Sequence, residues 1–182
     1  VTITSPTHGD EESWYNNSSP EFVWTLPAGS TEVRTLIAKN ITSIPNVRYL
    51  PAISSKVVEN LDDGVHYFLL RVRSKEGWSD VSNFKVQIDT TPPKPFSVSF
   101  REPNERGELT ASFQTSDSLS GIDHYDLLLN NKLELQVSAE EAKLPVILPI
   151  TPRGTTTLTI LAYDKAGNST SLQTSYRSHG PS

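Results

Sequence analysis

The four histidines, His8, His66, His124 and His179, are the side chains best suited to move a proton near neutral pH. Of these, only His124 has acidic neighbours on both sides, in Asp123-His124-Tyr125-Asp126. On an extended strand alternate residues share a face, so His124 and Asp126 point one way and Asp123 and Tyr125 the other. That places a base beside an orienting carboxylate, but the nucleophile is missing: the chain has no Cys and no Gly-x-Ser-x-Gly elbow. The segment reads as the polar start of a strand beside a turn. Adjacent carboxylates occur at Asp62-Asp63 and Glu140-Glu141. A glycosidase dyad needs two carboxyls facing each other across ~5–9.5 Å of cleft. Neighbours in a loop are solvated charge, so no catalytic residue is expected.

Calcium is the cofactor chemistry that the residues fit best. A hard cation takes several oxygens, and Asp, Asn and turn carbonyls supply them. The candidates are Asp89 before the Pro-rich stretch, Asp117 and Asp123 around Ser120-Gly121, and Asp164 with Asn168. No EF-hand loop or dense Asp-x-Asp-x-Asp run is present. Asp and Asn also favour turns through side-chain bonds to their own backbone, and that reading needs no metal.

Trp14 and Tyr15 lie in a long polar stretch from Thr4 to Pro20, which reads as a loop. Long loops often carry function, and two aromatics could stack on a sugar ring or anchor a protein partner. In the competing reading Trp14 plugs one end of a domain. Trp24 is expected in a core and Trp78 half buried at a hairpin turn.

The elements that must position these groups are strands. His66, Phe68, Leu70 and Val72 alternate with Tyr67, Leu69, Arg71 and Arg73, which puts the first set on the core face. Phe84, Val86 and Ile88 alternate with Lys85 and Gln87. In the second half the same period runs through Phe96/Val98/Phe100, Leu109/Ala111/Phe113, Tyr125/Leu127/Leu129, Leu133/Leu135/Val137 and Leu158/Ile160/Ala162. Asn130-Asn131 suits a two-residue hairpin turn. Only Ala139–Lys143 favours helix, for one turn at most. Without amphipathic helices a parallel sheet has no crossovers. The fold class is therefore all-β, with two tandem antiparallel β-sandwiches. Pro92, Pro93 and Pro95 mark a short, semi-rigid linker, giving domains 1–91 and 92–182.

Composition agrees with two small domains. The chain has 182 residues, of which 35% are hydrophobic, and no Cys or Met. Absent Cys removes disulfides, thiolate metal sites and Cys nucleophiles. A formal net charge of −5 disfavours nucleic acid as a general partner. No apolar run reaches the ~18 residues of a membrane span. With no Met and with Val1 first, the chain is expected to be a monomeric piece of a larger protein.

Trp24-Thr25-Leu26-Pro27, Leu61-Asp62-Asp63-Gly64-Val65-His66-Tyr67 with Arg71-Val72-Arg73-Ser74, and Gly77-Trp78-Ser79 with Ser82 resemble the motifs of fibronectin type III modules. Tyr67 and His66 compete for the tyrosine-corner position. Ser116-Asp117-Ser118-Leu119-Ser120-Gly121-Ile122 and Asp164-Lys165-Ala166-Gly167-Asn168-Ser169 resemble bacterial Ig-like repeats, as does the Asp89-Thr90-Thr91-Pro92-Pro93 seam. The resemblance implies a non-catalytic extracellular or cell-surface module pair, a spacer or interaction scaffold of a bacterial surface or secreted protein. Two alternatives share that setting. One is an adhesion or carbohydrate-binding module using Trp14 and Tyr15, with a protein or cell-surface glycan as partner. The other is an accessory region of a secreted hydrolase.

Overall fold

The alternation in the first half appears as burial. The computed structural model describes residues 1–149 and 154–178, so His179 lies outside the described residues. The chain divides into two compact units, Val1–Thr90 and Thr91–Ser182. In the first unit, β1 (Ile3–Thr4), β3 (Glu21–Trp24) and β6 (Ser55–Val57) form one sheet in the order β1-β3-β6. The second sheet contains β2 (Trp14–Tyr15), β4 (Glu32–Ala38), β5 (Val47–Tyr49), β7 (Gly64–Ser74) and β9 (Ser82–Ile88), in the order β2-β9-β7-β4-β5. The short β8 (Gly77–Trp78) folds back on β7.

On β7, His66, Phe68, Leu70 and Val72 are all buried, as their period requires. Leu69 differs from expectation. It belongs to the outward set with Tyr67, Arg71 and Arg73, yet it is fully buried. It sits opposite Leu36 on β4 and Asn83 on β9, in the middle of the sheet where neighbours flank it on both sides.

The two sheets meet through aromatic rings. Phe22 on β3 stacks on Phe68 of β7, with centroids 4.2 Å apart and planes 2° from parallel. Phe84 meets Phe22 edge-on, and Trp24 packs at a tilt against Phe68. Ile3, Val33, Leu70, Val72, Val86 and Ile88 complete this core.

The stretch expected to be one long loop before Pro20 holds a strand. β2 pairs in parallel with β9, Trp14 opposite Gln87 and Tyr15 opposite Ile88. This corrects the placement of Trp14 and Tyr15 in a loop. The pairing strand is only two residues long, too short to leave a period. The same segment covers the β9 edge further on, because the Lys85 N–H donates to Glu11 Oε1 at 2.8 Å and the Asp89 N–H to the Tyr15 carbonyl at 2.9 Å. An uncovered edge strand invites pairing with another chain, and this strap prevents it on β9.

In the second unit, β10 (Val98–Arg101), β11 (Thr110–Phe113) and β14 (Val146–Ile147) form a three-stranded sheet. β12 (Ile122–Leu129), β13 (Lys132–Ser138), β15 (Thr155–Asp164) and β16 (Ser169–Arg177) form a four-stranded one in the order β13-β12-β15-β16. All pairings are antiparallel. Asn130 and Asn131, at φ 50° and 67°, turn the β12–β13 hairpin in the left-handed region that Asn tolerates. Glu141–Lys143 is a single 3₁₀ turn. The core gathers Leu109, Ala111, Phe113, Tyr125, Leu127, Leu129, Leu158, Ile160 and Ala162. Leu133 departs from the alternation and is exposed, because the register shifts between Leu127 and Leu128 and changes which residues of β13 face inward.

The aromatic stack sets the first prediction. Phe22→Ala removes a fully buried ring from the inter-sheet contact and is expected to cost about 3–5 kcal/mol. Urea unfolding followed by tryptophan fluorescence measures it, since Trp14, Trp24 and Trp78 all belong to the first unit. A loss below about 1 kcal/mol would mean that the stack does not hold the sheets together.

Candidate functional site

His124 lies on the outer face of the second unit. Its Nδ1 is 2.7 Å from Asp123 Oδ2, its Nε2 is 3.6 Å from Asp126 Oδ1, and its ring stacks on Tyr163 at 4.7 Å. Strict alternation sends Asp123 to the opposite face. The register shift between Ile122 and His124 breaks that alternation and lets Asp123 reach the imidazole. Asp126 also accepts from Gln136 Nε2 at 2.9 Å. The His124 ring bonds to no hydroxyl among the described residues. The cluster orients an imidazole but aims it at no nucleophile.

A histidine–hydroxyl pair does exist at a place the sequence did not single out. His8 Nδ1 lies 2.8 Å from Thr7 Oγ1, the geometry of a base on a nucleophile. It is sealed: His8 is fully buried, with the Tyr15 ring 4.6 Å from its own. The Nε2 is 2.7 Å from the Asn17 carbonyl, which can only accept, so Nε2 carries the proton and Nδ1 accepts from Thr7. Thr7 Oγ1 in turn accepts the Glu21 N–H. The Ser5 hydroxyl accepts the His8 N–H and donates to the Glu21 carbonyl. The network ties the strap to β3. No signal in the sequence marks it beyond a polar run of Ser, Thr and His.

His66 resolves the corner position left open between His66 and Tyr67. It is buried, and its Nε2 lies 2.7 Å from the carbonyl of Asp62, four residues upstream. That is the bond to the preceding backbone that a corner tyrosine makes.

Of the four calcium candidates, Asp117 and Asp164 come together within the second unit, with carboxylate oxygens within 4.8 Å. Two carboxylates at that distance could share a hard cation. Both already serve their turns. Asp117 Oδ1 accepts the N–H groups of Leu119 and Gly121. Asp164, 2% exposed, accepts the N–H groups of Ala166 and Asn168 and the Asn168 side-chain amide. Asp123 stands apart, bound to His124. Asp89 belongs to the first unit, where it is buried just after β9. The adjacent carboxylates are also engaged. Asp63 Oδ1 accepts the N–H and hydroxyl of Thr90, Asp62 pairs with Lys39, and Glu140 pairs with Lys143.

Tyr15 is held by its structural contacts, since its hydroxyl accepts the Asp10 N–H and its ring covers His8. Trp14 is half-buried beside it. A cleft of about 440 Å³ opens in the second unit between Leu135, Val137, Leu144, Pro145, Val146 and Ile147. Its one carboxylate, Glu141, accepts the Ser138 N–H, so the cleft holds no acid–base pair.

Two predictions follow from these bonds. Asp164→Ala leaves buried turn donors without their acceptor and should cost about 2–3 kcal/mol. The midpoint of chemical denaturation of the second unit reads this, and an unchanged midpoint would show that the turn closes without the carboxylate. Burial pushes the His8 pKa down, and the Asn17 carbonyl opposes that only in part. The folded chain therefore resists protonation more than the unfolded one. The corresponding stability is intact above about pH 6.5 and is lost as the pH falls below that value towards the folded pKa. His8→Gln should flatten this component between pH 7.5 and 5. Equal pH slopes for the two proteins would contradict it.

The fold is a fibronectin type III-like β-sandwich. The fibronectin(III)-like modules of Clostridium thermocellum CbhA are 14% identical to the chain, with 96% of this chain and 92% of that chain covered and a TM-score of 0.53. A two-module fibronectin type III segment of chicken tenascin aligns at 12% identity over 97% and 98%, with a TM-score of 0.40. The chicken interferon gamma receptor alpha chain aligns at 12% over the same shares, with a TM-score of 0.38. No protein-family model and no curated protein matches the chain.

Proposed function

We propose that this pair of units is a non-catalytic spacer or interaction scaffold of an extracellular bacterial surface or secreted protein. The observation that carries the reading is how the polar side chains are used. His8 and His66 bond to carbonyls of their own unit, Asp117 and Asp164 to the amides of their own turns, and each unit has its own core. Side chains held in this way maintain a shape and do not turn over a substrate. The sequence motifs of extracellular modules and the fibronectin type III-like fold point the same way.

A spacer acts by covalent continuity through domains that resist unfolding, so force is the test. Pulling single molecules from their termini should give two separate unfolding events. Each should lengthen the chain by about 30 nm, the contour of some 90 residues at ~3.6 Å apiece. A single event of twice that length, or lengthening without any force peak, would overturn the spacer reading.

A further inference from the structure

We propose that the outer face of the larger sheet in the first unit binds the anionic groups of an acidic glycan through Arg48, Arg34, Arg71 and Arg73. Arg34 on β4 stands directly opposite Arg48 on β5 and directly opposite Arg71 on β7. Three arginines thus form one row across adjacent strands, each step the ~4.8 Å of strand spacing. Arg73 follows two residues after Arg71 on the same face, opposite Glu32. Like charges placed directly across a sheet repel and cost stability.

The row holds less counter-charge than it needs. Glu32, 3% exposed, is its one paired carboxylate. Oε1 accepts Arg48 Nε at 2.7 Å and Oε2 accepts Arg34 Nε at 3.1 Å. Burial acts to raise the Glu32 pKa, but the hydrogen bonds from Arg48 and Arg34 outweigh it and hold the group ionised. Both Glu32 contacts use Nε, which leaves the terminal N–H groups of two guanidiniums for another acceptor. Arg71 and Arg73 have no ion pair among the described residues. The Trp78 indole fixes the row, with Arg34 Cζ 4.9 Å and Arg71 Cζ 4.5 Å from its centroid. Exposure is sufficient for a ligand, at 36% for the Arg34 side chain and 58% for Arg48. Four guanidiniums against one carboxylate make a positive surface on a chain of net charge −5.

The placement selects the class of ligand. The row runs across β7, β4 and β5, with Arg34 on the interior strand β4 and Arg48 on the edge strand β5, so a ligand that spans it lies across the strands and not alongside an edge. An extended acidic peptide in that direction would gain no main-chain ladder, because peptides add to sheets by running alongside an edge strand. A long nucleic acid meets the repulsion of the whole chain. A short glycan with carboxylate or sulfate groups at intervals needs only side-chain donors, and the planar guanidinium fork matches either group.

The test titrates the full chain, by calorimetry and by NMR, with a size-defined polyuronate oligosaccharide and with a sulfated one, at low and at physiological salt. The two sugars separate carboxylate from sulfate recognition. At least one should bind, more weakly in salt. Binding should fall by about tenfold or more in Arg71→Gln/Arg73→Gln, as expected for lost charge-assisted bonds. It should fall measurably in Arg73→Gln alone, an exposed change that leaves the fold intact, and stay unchanged in Lys132→Gln on the other unit. The urea midpoint of Arg73→Gln should match the parent. Failure of both sugars to bind the parent chain overturns the proposal. So does undiminished binding in the double variant, or tighter binding of an acidic peptide or single-stranded DNA of equal charge.

Discussion

The first unit depends on one contact, the flat stack of Phe22 on Phe68 between its two sheets. With no cysteine anywhere, no disulfide ties sheet to sheet. Closure must come from apolar area and ring geometry, and an aromatic pair adds about 0.5–1.5 kcal/mol beyond its area. Trp24 and Phe84 pack around that pair at larger angles and extend it along the sandwich. The second unit solves the same problem with Tyr125 at the centre, Phe113 and Phe96 meeting its ring edge-on. The Tyr125 hydroxyl accepts the Thr115 N–H, so a polar tip is satisfied inside the core.

Strands that bury one face were legible because their period is short and repeated. β7, β9, β12 and β15 each alternate over most of their length, and the set the period selects is buried in each, Leu69 of β7 being buried besides. The Asn130-Asn131 turn and the Asp164–Asn168 turn were legible for a different reason. Positive φ and side-chain capping demand particular residues, and those residues are visible one at a time. What the sequence hid is cooperative. Leu69 is buried by neighbours on β4 and β9 that its own alternation cannot report. Leu133 and Asp123 both moved because of register shifts, one in the β12–β13 pairing and one in the β12–β15 pairing, which cost one residue of phase and leave no mark in composition.

The candidate sites divide along the same line. Asp117 and Asp164 were found as turn residues, and their meeting across the sandwich end is a tertiary fact. The calcium reading also included Asp123, because it sits near the same turn, and the fold bonds that carboxylate to His124 instead. Trp14 and Tyr15 stood out as aromatics in a polar run. In the structure Tyr15 covers His8, and the parallel pairing of its short strand shields β9. The arginine row escaped notice because Arg34, Arg48 and Arg71 are far apart in sequence and each reads, alone, as a solvated face.

That row also shows how the scaffold can carry recognition without a pocket. A ligand lying across the strands of a sheet meets only side chains, and it meets them at fixed intervals. Placing guanidiniums on three neighbouring strands in register therefore sets a spacing that a flexible loop cannot hold. The electrostatic cost is offset in two ways visible in the fold. Glu32 is buried beneath two of the arginines, and Trp78 lies against two of them, its indole face attractive to cations. Neither device neutralises the surface. Glu32 is one charge, and cation–π contact leaves the charge in place. What remains is the positive potential on which the proposed contact with an acidic glycan rests.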